Sequence, residues 1–163
     1  MRILSRRTAL FGGLSALTTA TLSCRSKSDG SGTSAQAQED SIGPLLAPAA
    51  LAARLDDVRA GKIAVFYVGP EMLFSKGRVP GAKQLPALDS DEGPRALREA
   101  LARVPPETEI VVYCGCCPVR NCPNVRPASA AIRALKRANA HVLDLPTRFS
   151  TDWSDKGFAV ERT

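Results

Sequence analysis

Three apolar segments of strand length most limit what this chain can fold into. Residues 63–68, 109–113 and 141–145 are rich in Val, Ile, Leu and aromatic side chains. The first two show no alternation of apolar and polar positions, which is typical of strands buried on both faces of a parallel sheet. We therefore expect the core to be built around a parallel sheet.

Helical patterns separate these strands. Apolar side chains recur at helical spacing in residues 45–60, 93–104 and 128–138, and short further strands are expected at 83–86 and 156–160. Alternating strands and helices predict an α/β fold, with a mainly parallel sheet flanked by helices on both faces. The length of 163 residues agrees with a single domain plus appendages.

The first 23 residues have the composition of an export signal. Arg2, Arg6 and Arg7 precede an apolar run at 9–22, which ends in small residues. Paired arginines directly before such a run resemble a bacterial twin-arginine signal. The run is shorter than a membrane span, which needs roughly 20 residues. We interpret 1–23 as an export signal peptide, with a general secretory signal as the alternative.

The next segment predicts a lipid anchor. The residues Thr-Leu-Ser before Cys24 resemble a bacterial lipobox, in which Cys24 becomes the acylated first residue of the mature chain. Residues 24–42 are rich in Ser, Gly, Gln and Asp without apolar periodicity, which indicates a flexible tether. The domain is then expected at 43–163, in the periplasm or cell envelope and anchored to the membrane as a lipoprotein. Ordinary cleavage nearby, which leaves Cys24 free or removes it, is the alternative.

The charge does not indicate a nucleic-acid partner. The net charge is +6, and removal of the three signal-peptide arginines lowers it to +3. The remaining basic residues are mixed with acidic ones and form no stripe interleaved with aromatic side chains, so no nucleic acid is expected as a partner.

A loop of cysteines follows the second buried strand. Cys114, Cys116, Cys117 and Cys122 lie between that strand and the third helical pattern. Open α/β sheets place their sites at the carboxyl ends of the strands. A loop that enters a helix also offers unpaired N–H groups and a positive dipole end, which lower the pKa of a nearby thiol. The chemistry of the chain is therefore expected in this loop.

Three landmarks carry a family resemblance. Tyr113 and Cys114 end a strand, and Arg126 precedes an Ala-rich helix. The loop at 77–82 reads Gly-Arg-Val-Pro-Gly-Ala, and Trp153 precedes a Gly-containing turn near the end of the chain. In order and composition these landmarks resemble the rhodanese-like (sulfurtransferase) family, over nearly the whole predicted domain.

The resemblance implies an enzyme that moves sulfane sulfur. A cysteine of such a domain takes the sulfur from thiosulfate or a persulfide donor and passes it to a thiol acceptor, without a cofactor. By this resemblance Cys114 is the predicted catalytic residue. Gly115, Arg120 and Arg126, with the loop N–H groups, are predicted to bind the anionic donor.

The length of the loop leaves a second candidate for the nucleophile. Cys114 precedes Arg126 by 12 residues, more than in the family that the chain resembles. Counting back from the arginine by the family's spacing ends beside Cys122. The position at the end of the strand therefore favours Cys114 as the nucleophile, whereas the spacing to the helix favours Cys122. The chain also carries Gly69 and Arg78 where the family often has an arginine and a histidine.

Other chemistries use the same four thiols. Thiolate clusters bind soft metals such as zinc or copper, with Cys114, Cys116, Cys117 and Cys122 as ligands of a non-enzymatic module. Their spacing differs from the paired cysteines of structural zinc sites. In an oxidising compartment Cys116 or Cys117 can pair with Cys122 or resolve a persulfide on Cys114. Disulfides that only pin the loop are the simplest alternative.

Overall fold

The computed structural model of the protein describes residues 42–163. The predicted export signal, the predicted lipid-bearing Cys24 and the tether up to residue 41 lie outside the described residues. Between residues 42 and 163, no helix combines the length and the apolar character needed to cross a membrane.

The described residues form five strands and six α-helices. The strands are β1 (Leu45–Leu46), β2 (Ile63–Tyr67), β3 (Lys83–Gln84), β4 (Glu109–Tyr113) and β5 (Ala140–Leu143). The helices are α1 (Pro48–Ala52), α2 (Leu55–Arg59), α3 (Glu71–Lys76), α4 (Gly93–Ala102), α5 (Val125–Ala134) and α6 (Phe149–Asp152). Short 3-10 turns cover Val119–Asn121 and Ser154–Lys156. The strands pair in parallel in the order β1-β5-β4-β2-β3, which confirms the predicted α/β fold.

Helices cover both faces of this sheet. Val112 of β4 belongs to one buried cluster together with Leu97 of α4 and Ile132 of α5. Its neighbour Val111 points to the other face, where it belongs to a second cluster with Leu55 of α2. Each fully buried aliphatic side chain contributes about 1.5–3 kcal/mol through removal from water. Burial on both faces explains the uninterrupted apolar runs of the central strands.

The start of the domain differs from the prediction. The single helix expected over residues 45–60 is wrong, because Leu45 and Leu46 form β1, in which Leu45 is paired with Val142 of β5. Pro48 then opens α1, since a first-turn proline has no N–H to leave unpaired. A non-helical backbone at Arg54, with φ −121° and ψ 25°, separates α1 from α2.

The end of the domain also differs, because residues 156–160 form no strand. Instead, the backbones of Arg78 and Glu161 exchange two hydrogen bonds of 3.0 Å in an isolated antiparallel bridge. The Arg78 guanidinium contacts the Glu161 carboxylate at 2.5 Å and lies 4.6 Å from the centre of the Phe74 ring. Arg78 is only 9% exposed. It therefore ties the carboxyl terminus to a loop, a structural role at the position where the family often has histidine.

We predict that replacing Glu161 by Gln destabilises the fold in a pH-dependent way. The Gly81 N–H, 2.8 Å away, and then Arg78 hold the pKa of the Glu161 carboxyl below its ordinary value of 4.5. The folded pKa is the lower one, so the carboxylate stabilises the fold above pH 4.5 and this stabilisation is lost as the pH falls through the folded pKa. Urea unfolding should show E161Q to be less stable than wild type at neutral pH, with the difference shrinking on acidification. The matched control is E107Q at an exposed carboxylate, and an equal deficit of E161Q at every pH would contradict the prediction.

Candidate active site

The cysteine loop begins where β4 ends, at the carboxyl edge of the parallel sheet. Cys114 directly follows Tyr113, the last residue of β4, and the loop runs to Asn124, just before α5. Strand β4 lies between β2 and β5, so its carboxyl end is flanked by theirs. Open α/β sheets bind ligands outside this edge. The structure thus places the predicted cysteines at the expected edge of the sheet.

A 3-10 turn within the loop directs side chains inward and outward. Val119 is 2% exposed, and its N–H donates to the carbonyl of Leu145 at 2.9 Å, which holds the turn against the end of β5. Arg120 follows on the solvent side, and Cys122 returns to the interior with 0% exposure. The long loop therefore brings Cys122 back beside Cys114 instead of extending away from the sheet.

Asn124 fixes the end of the loop. Its side chain is 2% exposed, and its Oδ1 accepts hydrogen bonds from the N–H groups of Leu88 at 2.5 Å and Asp89 at 3.1 Å. These bonds join the loop to the segment that precedes α4. Helix α5 begins at Val125 rather than at residue 128 as expected, so Arg126 and Pro127 form its first turn. A first-turn proline is tolerated there, because its missing N–H would have no partner.

The four sulfur atoms form one cluster. Cys116 Sγ lies 3.1 Å from both Cys114 Sγ and Cys117 Sγ. The Sγ atoms of Cys114, Cys116 and Cys122 all lie within 4.8 Å of one another. All four side chains are free thiols in this structure, and the disulfide pairings expected for the loop stay predictions.

Of the thiols in the cluster, Cys122 has a lowered pKa. Its pKa is lowered to about 5, first because the Cys114 thiol donates a hydrogen bond to its sulfur. The Cys117 thiol and the N–H groups of Asn124 and Val125 donate to the same sulfur, and together they outweigh the desolvation that opposes ionisation. An ordinary thiol has a pKa of about 8.5. These donors therefore favour the thiolate form of Cys122.

The same contacts keep two neighbouring thiols protonated. The pKa of Cys114 is raised, first because it donates to Cys122 and second because it is buried. Burial is the largest cause of the raised pKa of Cys117, followed by its hydrogen bond with Cys116. The thiolate is the nucleophilic form of cysteine. Charge therefore favours Cys122, the alternative from helix register, over Cys114.

Gly69 makes room for the sulfur of Cys114. A Cβ at this position would lie 2.8 Å from Cys114 Sγ and 2.6 Å from Tyr67 Oη, closer than real Cβ contacts. The Tyr67 hydroxyl donates to the Pro70 carbonyl at 3.1 Å, and burial raises its pKa, so it stays protonated. Any larger residue at position 69 would therefore displace Cys114 Sγ and the Tyr67 hydroxyl.

A pocket of about 310 Å³ opens beside the cluster. Its lining combines apolar, hydroxyl and basic side chains: Tyr67, Leu73, Lys76, Gly77, Gly115, Cys116, Arg148, Phe149, Ser150 and Ser154. Of the four cysteines described in the structure, Cys116 is the one that lines the pocket. The carbonyl of Gly115 accepts the N–H of Phe149 at 3.1 Å, which holds α6 against the cysteine loop. The pocket therefore lies between that loop, α3 and α6.

The basic residues of the pocket differ from those expected. Lys76 and Arg148 line it and are exposed to solvent. Within residues 42–163, neither has an acidic side chain at salt-bridge distance. Arg120 and Arg126 are also exposed but lie outside the lining, so their role in donor binding stays a prediction. Gly115, predicted to contact the donor, does line the pocket.

Sequence reasoning did not nominate several of these residues. Arg148 and Phe149 follow the carboxyl end of β5. The tendency of open α/β sheets to place sites at this edge, which indicated the cysteine loop, therefore indicates these residues too. Lys76 ends a six-residue helix, and no feature of the sequence links it to the cysteines. Asn124 stands in the loop as one polar residue among several, and its backbone partners, Leu88 and Asp89, belong to a distant segment.

Comparison with known proteins finds similar solved structures but no matching protein family. No protein-family profile and no curated protein matches the sequence. A Bacillus halodurans protein, BH2092, is similar in structure, with 20% identity, a TM-score of 0.48 and coverage of 79% of this chain and 82% of that one.

The structures of EanB are similar at the same level. EanB in complex with hercynine shares 22% identity at a TM-score of 0.48, over 74% of this chain and 28% of EanB. A variant of EanB that holds ergothioneine linked covalently to a cysteine persulfide shares 23% identity at the same TM-score. This chain thus spans less than a third of the length of EanB, and no activity is carried over from these likenesses.

We predict that Cys122 titrates as a thiolate near pH 5 and that Cys114 sets this value. The ultraviolet thiolate absorbance of the wild type should be present at neutral pH and disappear on acidification through about pH 5. The variant C122A should lose this transition. The variant C114A should move it to higher pH, because the largest stabilising hydrogen bond is removed.

The matched control for this titration is C117A. Cys117 also donates to Cys122, but its hydrogen bond ranks below that of Cys114. The upward shift in C117A should therefore be the smaller one. An unchanged midpoint in C114A would contradict the assignment of the charge.

Proposed function

We propose that the domain is a rhodanese-like sulfurtransferase that carries sulfane sulfur as a cysteine persulfide. The observation that supports it most strongly is the grouping of the Cys114, Cys116 and Cys122 sulfur atoms within 4.8 Å of one another, beside a pocket with two basic side chains. A thiolate attacks the donor's sulfane sulfur, and the basic side chains attract an anionic donor.

The proposed reaction is a pair of thiol exchanges. A cysteine thiolate of the cluster attacks the outer sulfur of thiosulfate, the S–S bond of the donor breaks, and sulfite leaves with the electron pair. The resulting cysteine persulfide is then attacked at its outer sulfur by an acceptor thiolate, which leaves with that sulfur and returns the cysteine as a thiolate. The two steps balance without an external oxidant or reductant.

The loop and the pocket supply three effects for this chemistry. The hydrogen bonds to Cys122 keep a thiolate available at neutral pH. The Cys114 thiol, protonated and buried, donates a hydrogen bond to the anionic sulfur. Lys76 and Arg148 attract the donor and the negative charge of the leaving sulfite. Arg120 and Arg126 add positive charge at longer range.

The setting of the reaction is part of the proposal. Export through the signal at 1–23 and acylation of Cys24 would hold the domain at the membrane surface of the cell envelope. The donor would be thiosulfate or a low-molecular-weight persulfide, and the acceptor a thiol in the same compartment.

Incubation of the full chain with thiosulfate under anaerobic conditions tests the proposal. Intact mass should rise by one sulfur atom, and cyanide should remove that sulfur as thiocyanate. Replacing Lys76 or Arg148 by Gln should lower the second-order rate of loading by about two- to fivefold each, as expected for exposed charge contacts. The effect should fade at high salt, because exposed charges are screened.

The control for charge is R95Q, which removes an exposed arginine of α4 that pairs with Glu99. Its loading rate should match that of the wild type. A wild-type chain that gains no sulfur from thiosulfate or from an organic persulfide would overturn the proposed function. Equal losses in R95Q, K76Q and R148Q would contradict the role of the pocket.

Binding of a soft metal is a second candidate, favoured by the same three sulfur atoms. Cys114, Cys116 and Cys122 each offer one sulfur ligand, and thiolates select copper(I) or zinc. Structural zinc sites close with four ligands, whereas this group supplies three, so the arrangement suits copper(I) better. Cys117 lies outside the group, although its sulfur is 3.1 Å from that of Cys116.

The two candidates make opposite predictions for the chain as purified without oxygen or chelators. Stoichiometric copper that blocks loading by thiosulfate would favour the metal-binding module. Sulfane sulfur on the metal-free chain would favour the sulfurtransferase. A thiol–disulfide module would instead show a mass loss of two hydrogen atoms on mild oxidation and no transfer of sulfur.

A further inference from the structure

The thiols of the loop lie at two different depths relative to the pocket. Cys122 lies just before α5, where the N–H groups of Asn124 and Val125 donate to its sulfur, and its side chain is 0% exposed and absent from the pocket lining. Cys116 is partly exposed and lines the pocket. A donor in the pocket therefore reaches Cys116 before it can reach Cys122.

We propose that Cys116 is the receiving thiol and passes the sulfane sulfur inward to Cys122, so that the loop is an internal persulfide relay. This inference rests on the proposed sulfurtransferase function and adds a second cysteine with its own role. It also explains why one loop carries thiols at two depths, one at the pocket and one buried at the start of α5.

The distances suit a direct transfer between the two cysteines. Cys116 Sγ lies within 4.8 Å of Cys122 Sγ. A persulfide on Cys116 adds an S–S bond of about 2.0 Å. Rotation about its Cβ–Sγ bond can bring the outer sulfur into contact with Cys122 Sγ without movement of the backbone. No acceptor protein is needed for this step.

The relay balances with one shuttling proton and one negative charge. Cys116 gives its proton to the Cys122 thiolate, attacks the sulfane sulfur of the donor and releases sulfite. The proton returns to the new persulfide, which restores the thiolate of Cys122. That thiolate attacks the outer sulfur, the bond from this sulfur to Cys116 breaks, and Cys116 leaves as a thiolate.

Cys114 is placed to assist the last step. Its thiol lies 3.1 Å from Cys116 Sγ and also donates to Cys122. A protonated thiol between the two reacting sulfurs can stabilise whichever of them carries the charge. The product persulfide on Cys122 is buried, so external thiols and cyanide reach its outer sulfur mainly after it has returned to Cys116.

Mapping of the persulfide in cysteine variants tests the relay. After anaerobic loading of the full chain with thiosulfate, alkylation and proteolysis should locate the extra sulfur on Cys122 in the wild type. In C122S it should stay on Cys116 and be removed faster by cyanide. In C116S the rate of loading should fall at least tenfold, while an unchanged midpoint of urea unfolding shows that the domain is folded.

The matched control is C117S, the same substitution at the neighbouring thiol outside the pocket lining. It should still load Cys122, at a reduced but measurable rate. Loading of Cys122 in C116S at the wild-type rate would overturn the relay and leave sulfur transfer intact. A wild type that accepts no sulfur at all would instead overturn the proposed function, so the two failures are distinguishable.

Discussion

Parallel pairing of β4 between β2 and β5 is the constraint on which the rest of the domain depends. Val111 and Val112 point to opposite faces of the sheet, and each belongs to a different buried cluster. Helices must therefore cover both faces, and the chain must cross the sheet between successive strands. The same pairing aligns the carboxyl ends of β4 and β5, so that Cys114 and the segment that carries Arg148 meet at one edge. The pocket follows from the sheet rather than from the loop alone.

The cysteine loop lowers the pKa of Cys122 and raises the pKa values of Cys114 and Cys117. The pKa of Cys122 is lowered because its sulfur accepts hydrogen bonds both from neighbouring thiols and from backbone N–H groups at the start of α5. Asn124 holds that start in place through its bonds to the segment before α4. Burial of the charged sulfur is costly, and it persists because several donors compensate for the lost hydration. Cys122 is buried whereas Cys116 lines the pocket, and this difference in depth is the physical basis of the proposed relay.

The central strands and the α/β fold were predicted from the sequence, because burial on both faces leaves an uninterrupted apolar run. The secondary structure at the two ends of the domain was not predicted correctly. Leu45 and Leu46 resemble the start of a helix, and they pair with β5 only because Pro48 delays the helix and the sheet offers a free edge. The strand expected over residues 156–160 does not form. Glu161 pairs with Arg78 instead, a contact between distant segments that no local pattern reveals.

The amino-acid sequence by itself determined which strands form the core and that a group of cysteines follows the carboxyl end of one of them. These follow from hydrophobic periodicity and residue type, which are local properties. Tertiary structure alone decided which thiol has a lowered pKa, which one meets the pocket and which basic side chains lie beside it. Cys116, Cys122 and Lys76 acquire their roles from hydrogen bonds, burial and proximity, and these quantities depend on how distant segments pack together in the folded chain.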